Sequence, residues 1–194
     1  MTSAAERSAI ELIPGARAVE ERLLELLAEH REAVRADLPV LGHCLGGQLM
    51  SRAFGGAVRA NPYKEIGWGE VRVCDNGLAR AWLGELQAFE GFQWHGETFT
   101  IPPGATRVLE NAHCENQAFA LGRHFAMQCH VEMTEELVRA WCRDGAQEIE
   151  ASAASPAVQN PGEMARDLEA RVQRLHEVAD RIYERWTEGL SRGN

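Results

Sequence analysis

The sequence predicts an α/β protein, and three observations carry that reading. Residues 38–56 read as a short apolar strand, a tight turn and a helix. From Gly67 to Cys129 the apolar runs are short, partly alternating and bounded by turn residues, as strands are. From Met164 onward apolar residues recur at helical spacing almost to the C-terminus. The chain has 194 residues, 45% of them apolar, enough to bury one substantial core. We read residues 1–150 as the main domain and residues 151–194 as a loop and amphipathic helix packing on it.

Taken in order, Ala9–Ile13 is an apolar run stopped by Pro14-Gly15 and reads as a strand. Val19, Leu23, Leu26, Leu27, His30 and Val34 share one face of a helix that Asp37 ends. Leu38–Gly42 is a strand, with Pro39 at its start where no ladder donor is needed. Leu45–Phe54 is a helix closed by Gly55-Gly56. Strands are expected at Gly67–Val73, Gly91–Trp94 and Arg107–Leu109, followed by a hairpin of Ala118–Leu121 and His124–Cys129 around Gly122-Arg123. Thr134 caps a helix, and residues 151–162 form a loop. Met164, Leu168, Val172, Leu175, Ala179, Ile182, Trp186 and Leu190 mark the buried stripe of the last helix.

A net charge of −9 disfavours nucleic acid and anionic membranes, which are bound through basic patches. No run approaches the roughly 20 apolar residues of a membrane helix, and the N-terminus lacks a secretory pattern. Five irregularly spaced cysteines then point to free thiols in a reducing cytoplasm.

The chemistry concentrates on LGHCLGGQ, residues 41–48. A nucleophile on a strand-to-helix turn must adopt a strained backbone conformation, which small neighbours permit. The helix that follows directs its N-terminus at the sulfur of Cys44, favouring a thiolate, and the N–H of Leu45 is available to an oxyanion. The local pattern leaves a second reading open, a glycine-rich turn that packs a buried cysteine. A thiolate in acyl transfer also needs a base with an orienting partner. In Cys129-His130-Val131-Glu132, alternation puts His130 and Glu132 on one face, so Glu132 is placed to hold the imidazole.

Other histidines and cysteines read as structural. His43-Cys44, His113-Cys114 and Cys129-His130 alternate across strands, and no Cys-x-x-Cys pair exists, so no metal or other cofactor is expected. His95 reads as a surface-loop histidine, His43 as packing, and Cys74, Cys114 and Cys142 as buried thiols.

LPVLGHCLGGQLMSRAFGG resembles the nucleophile elbow of class I, triad-type glutamine amidotransferases, with Gly42, Cys44, Gly46 and Gln48 on the pattern Gly-x-Cys-x-Gly-x-Gln. EIGWGEVRV, FQWHGETFTIPPGA, CENQAFALG and MQCHVEMT follow in the family's order. They are similar to the stand-alone branch related to the amidotransferase domain of GMP synthase, as are SPAVQNPGEMARDL and the final helix. The resemblance spans residues 38–194 and implies a flavodoxin-like fold that hydrolyses glutamine. On that resemblance Cys44 would attack the side-chain amide, His130 would protonate the leaving ammonia and then activate water, and Glu132 would orient His130. By the same resemblance Leu45 and Gln48 would seat the substrate, and His113, Cys114, Glu115 and Asn116 would lie near its amino-acid end. The implied partners are glutamine and a separate synthase subunit that receives ammonia.

Two departures from the family pattern shape the expectation. Val131 replaces the usual proline, which a strand end tolerates. Only 37 residues precede Leu38, where the family has two further strand–helix units and a Gly-Gly-Pro-like loop that completes the oxyanion hole. Pro14-Gly15-Ala16 is the nearest counterpart of that loop. Loss of one oxyanion donor costs about 2.7–4 kcal/mol in the transition state. A shortened sheet with an exposed N-terminal edge strand, open to self-association, is therefore expected. Two alternatives to glutamine hydrolysis follow: a weakly active or inactive relative serving as a binding subunit, and a hydrolase of another γ-glutamyl amide.

Overall fold

The computed structural model describes residues 38–191 and, before them, residues 25, 28–29, 31–33 and 36. The expected strand at Ala9–Ile13 and the loop at Pro14–Ala16 lie outside the described residues, as does most of the helix expected over Val19–Val34. Its described positions 25, 28–29 and 31–33 are helical.

The elements in chain order are β1 (Leu41–His43), α1 (Leu45–Ala53), β2 (Val58–Val73), α2 (Gly77–Leu83), β3 (Ala88–Phe99), β4 (Thr106–Glu110), β5 (Ala118–Leu121) and β6 (His124–Met127). Then come α3 (Glu135–Asp144), α4 (Ala146–Ala151), β7 (Ala157–Val158), α5 (Pro161–Met164) and α6 (Leu168–Ser191). The strands form one sheet in the order β1-β6-β5-β4-β2-β3, with β7 added against β2. β1 runs parallel to β6 and, among the described residues, has no second neighbour. β6, β5, β4, β2 and β3 follow as antiparallel pairs.

Several boundaries differ from the sequence-based expectation. β1 begins at Leu41 rather than Leu38. The Val40 N–H is instead bonded to His124 Nδ1, while the Val40 carbonyl accepts from Phe125. β2 and β3 are much longer than the two short runs expected, because each supplies the other's ladder: Val58–Ala60 pairs with Glu97–Phe99, and Glu65–Arg72 with Ala88–His95. Charged residues inside these strands hid the alternation. Helix α2 was not expected; Asn76 caps it by accepting from Ala79, and Gly84 ends it at φ 63°. The loop at residues 151–162 contains β7, a two-residue strand too short for any periodic signal.

The terminal stripe is broken rather than continuous from Met164. Asn160 and Glu163 form a reciprocal capping box that starts α5 at Pro161. Asp167 then takes a positive φ of 51° before α6 begins at Leu168. The break leaves the Met164 carbonyl free to accept from the Trp68 indole at 3.0 Å. Leu168, Val172, Leu175, Val178, Ala179 and Ile182 of α6 join the main core with Ile66, Phe92, Phe125 and Met127. A smaller cluster of Met50, Phe99, Phe119 and Ala126 lies under α1. No described helix is long and apolar enough to cross a membrane.

Candidate active site

Two neighbouring parallel strands bring the chemistry together. β1 ends at His43 and β6 at Met127, and these two residues are register partners. Cys44 leaves the end of β1, and the chain beyond β6 carries Gln128, Cys129 and His130. Both therefore emerge at the carboxyl ends of adjacent parallel strands, where open α/β sheets form their crevices.

Cys44 adopts φ 45° and ψ −107°, a left-handed conformation that costs a non-glycine residue of the order of 1–3 kcal/mol. Its amide donates to the Met127 carbonyl at 2.8 Å, and its carbonyl accepts from Gln48 N–H at 3.0 Å, closing the first turn of α1. Two glycines make the turn possible. A Cβ at Gly42 would stand 2.6 Å from the Gly46 backbone, and one at Gly47 would stand 2.7 Å from the Met127 carbonyl. Leu45, the first residue of α1, is half exposed, and helix geometry leaves its N–H without an intrahelical partner.

His130 is held from three directions. Its backbone pairs with Phe92, N–H to carbonyl in both directions at 2.8 and 3.3 Å. Trp141 meets its ring edge-on at 5.0 Å. Its Nδ1 lies 2.6 Å from Glu132 Oε1, with Cys129 and Val131 turned into the core. Burial lowers the His130 pKa, but contacts with Cys44 and Glu132 outweigh it and raise the value to about 9. Burial likewise works against the Glu132 charge, yet the hydrogen bond and charge of His130 hold that carboxyl below its usual range.

His43 does not simply pack. Its Nε2 lies 3.2 Å from the Tyr183 hydroxyl on α6 and 3.7 Å from Glu132 Oε2, a buried oxygen with no hydrogen bond of its own. Burial lowers the His43 pKa. His43, Cys44, Leu45, Trp94, His130, Trp141, Asp144 and Glu148 line one open cleft of about 420 Å³. The Trp94 indole donates to Glu148 at 2.8 Å, and its carbonyl is 4.0 Å from Cys44 Sγ.

The remaining expected residues fall elsewhere. Gln48 does not line the cleft; its amide donates to Gln128 Oε1 at 3.2 Å and to the Glu97 carbonyl at 3.4 Å. Gln128 in turn donates to Cys44 Sγ at 3.3 Å, a contact sequence reasoning missed although Gln128 stands two residues before His130. His113, Glu115 and Asn116 line a separate cavity with Tyr63 and Thr98, and Cys114 is buried beside it. None of these four lines the Cys44 cleft. His95 is not a loop histidine: it lies within β3, is 3% exposed and faces Glu65. Cys74 and Cys142 are half-buried rather than buried.

Comparison with known proteins accounts for this geometry. Residues 2–141 match the family model described as glutamine amidotransferase class-I. The chain is 32% identical over 120 residues to the glutamine amidotransferase-like protein YfeJ of Salmonella typhimurium, covering 61% of this chain and 50% of that one. It is 30% identical over 151 residues to the glutamine-hydrolyzing GMP synthase of Aeropyrum pernix, covering 74% of this chain and 27% of the synthase. The chain thus spans half or less of these two relatives. Among solved structures, a glutamine amidotransferase of Methylobacillus flagellatus superposes with a TM-score of 0.83 at 44% identity, covering 86% of this chain and 69% of that one. One from Thermotoga maritima gives 0.74 at 27% identity, covering 84% and 68%. The fold is thus the flavodoxin-like α/β fold of these enzymes, and the chain belongs to the class I glutamine amidotransferase family.

Proposed function

We propose that this protein hydrolyses the side-chain amide of glutamine through a thioester on Cys44 and passes the ammonia to a synthase. The observation that carries the proposal is the strained Cys44 turn sharing a cleft with His130, whose Nδ1 is 2.6 Å from Glu132. The Cys44 sulfur attacks the amide carbon, and the carbonyl oxygen becomes an oxyanion that the Leu45 N–H is placed to receive. His130 gives its proton to the amide nitrogen as the C–N bond breaks, releasing ammonia. It then takes a proton from water, whose oxygen attacks the thioester, and glutamate leaves as the thiol re-forms. Glu132 fixes the ring and offsets its positive charge. Gln48 acts through Gln128, which contacts the sulfur. Asp144, lining the same cleft, suits the α-ammonium of the substrate, whereas Glu148 is already paired with Lys64 and the Trp94 indole.

The purified chain incubated with glutamine is expected to release glutamate and ammonia in equal amounts, and Cys44→Ala to abolish both. Hydrolysis that survives Cys44→Ala refutes the assignment. No hydrolysis at all by the folded wild-type chain favours the binding-subunit reading instead, and a faster reaction with another γ-glutamyl amide reassigns the substrate. A synthase partner is supported by the relatives named GMP synthase, and ammonia transfer is tested by adding such a synthase domain.

A further inference from the structure

Away from the Cys44 cleft, a second group of polar side chains is buried where β2, β3 and the β4–β5 connection meet. Ligand atoms of Glu65, His95 and Cys114 all lie within 4.8 Å of one another, and all three residues are buried. His95 Nδ1 is 2.9 Å from the Glu97 carbonyl, which can only accept, so Nδ1 carries the ring's proton. In the neutral ring, Nε2 then presents a lone pair. It sits 3.0 Å from Glu65 Oε2 yet makes no hydrogen bond, and its side chain is only 1% exposed. Two electron-pair donors facing each other in the interior need a positive species between them.

The surroundings are built as those of a metal ligand set. Asn111 donates to Glu65 Oε1 at 2.7 Å, and Gln117 to Oε2 at 3.2 Å, fixing the carboxylate plane. The Nδ1 bond to a backbone carbonyl orients the imidazole, as is usual for a metal-bound histidine. The Cys114 thiol is placed to donate to Thr98 Oγ1 at 3.2 Å or to the Asn116 carbonyl at 3.6 Å, a proton that an ion bound at Sγ displaces. Cavities lined by Glu65 and Asn111 on one side, and by Thr98, Asn111 and Asn116 on the other, give routes of approach.

We infer that Glu65, His95 and Cys114 form a site for one borderline divalent transition-metal ion, of the zinc or cobalt class. One carboxylate, one thiolate and one neutral imidazole leave no net charge around a divalent ion, and nitrogen and sulfur donors exclude calcium and magnesium. The site is structural: none of its three residues lines the Cys44 cleft, but the chain passes directly from His95 to Trp94, which does. The ion pins the wall opposite Cys44.

The test is a titration of the whole chain, stripped with a chelator and dialysed, with Co²⁺. A thiolate-to-cobalt charge-transfer band should appear and saturate at one ion per chain. Cys114→Ser should abolish it, and His95→Gln should weaken binding about tenfold or more. Cys44→Ser should leave it unchanged, and Zn²⁺ should raise the Tm of both wild type and Cys44→Ser. The inference is overturned if wild type shows neither band nor Tm shift, in which case a proton alone joins His95 to Glu65. A band lost in Cys44→Ser also overturns it, and that arm decides even should Cys114→Ser fail to fold.

Discussion

His43 Nε2 and Glu132 Oε2 face each other across 3.7 Å behind the Cys44–His130 pair, just beyond hydrogen-bond reach. Tyr183, from the C-terminal helix, holds the same nitrogen at 3.2 Å. The carboxylate hydrogen-bonded to His130 is thus flanked by a second histidine anchored to α6. Tyr183→Phe keeps the ring and removes only the hydroxyl. It should cost about 1 kcal/mol of stability and lower glutamine turnover several-fold. Turnover equal to wild type at every pH would show that His43 needs no anchor.

Glu132→Gln keeps the shape and removes the charge that steadies a protonated His130. Turnover should fall, by up to about 10⁴-fold where the partner also sets the tautomer, with KM little changed. Steady-state kinetics on the variant decide this, and a change confined to KM would place Glu132 in substrate binding instead.

The strained Cys44 backbone sets stability against chemistry. Cys44→Gly and Cys44→Ala should both be inactive, but only glycine relaxes a φ of 45°. Urea unfolding should find the glycine variant more stable than the alanine variant by about 1 kcal/mol or more. Equal stabilities would mean that the turn holds no strain.

Gly47→Ala brings a methyl group against the Met127 carbonyl, which lies 2.7 Å from the position of that carbon. Backbone must move on one side or the other. A loss of about 1–3 kcal/mol by thermal or urea unfolding is expected, with reduced turnover because β1 and β6 carry Cys44 and His130. Gly46→Ala meets nothing within 4 Å and serves as the control.

Stability should fall away on both sides of neutrality. His130 is raised from 6.5 to about 9 in the folded protein. Its contribution is therefore complete below pH 6.5 and lost as pH rises toward 9. Glu132 is lowered, so its contribution is present above its unfolded value of 4.5 and lost as pH falls through the lower folded one. His43 is also lowered, so the unfolded chain takes up its proton first and stability declines further on the acid side. Urea unfolding across pH should show both limbs, and His130→Gln should flatten the alkaline one. An alkaline limb unchanged in that variant would assign it to other groups.

Much of the fold was legible because its signals are local. The β5–β6 hairpin turns on Gly122 at φ 58°, Thr134 caps α3, and Gly55 at φ 92° follows the Phe54 cap of α1, all within a few residues of the pattern that announces them. β7 and the long pairing of β2 with β3 were not legible. Their stability comes from partners tens of residues away, and their own composition is charged or too short to carry a period.

By itself the sequence carried the Cys44 turn and the His130-x-Glu132 spacing, whose residues lie close in the chain, and the family, through motifs that follow one another in order along it. Only the tertiary structure decided what surrounds them. The parallel pairing of β1 with β6 sets Cys44 and His130 at neighbouring strand ends. The packing of α6 brings Tyr183 to His43. The antiparallel register of β2 against β3 buries His95 opposite Glu65, with Cys114 closing the group from a third segment. Such contacts join residues 19 to 140 positions apart, and sequence spacing carries no trace of them until burial forces their polar atoms to find one another.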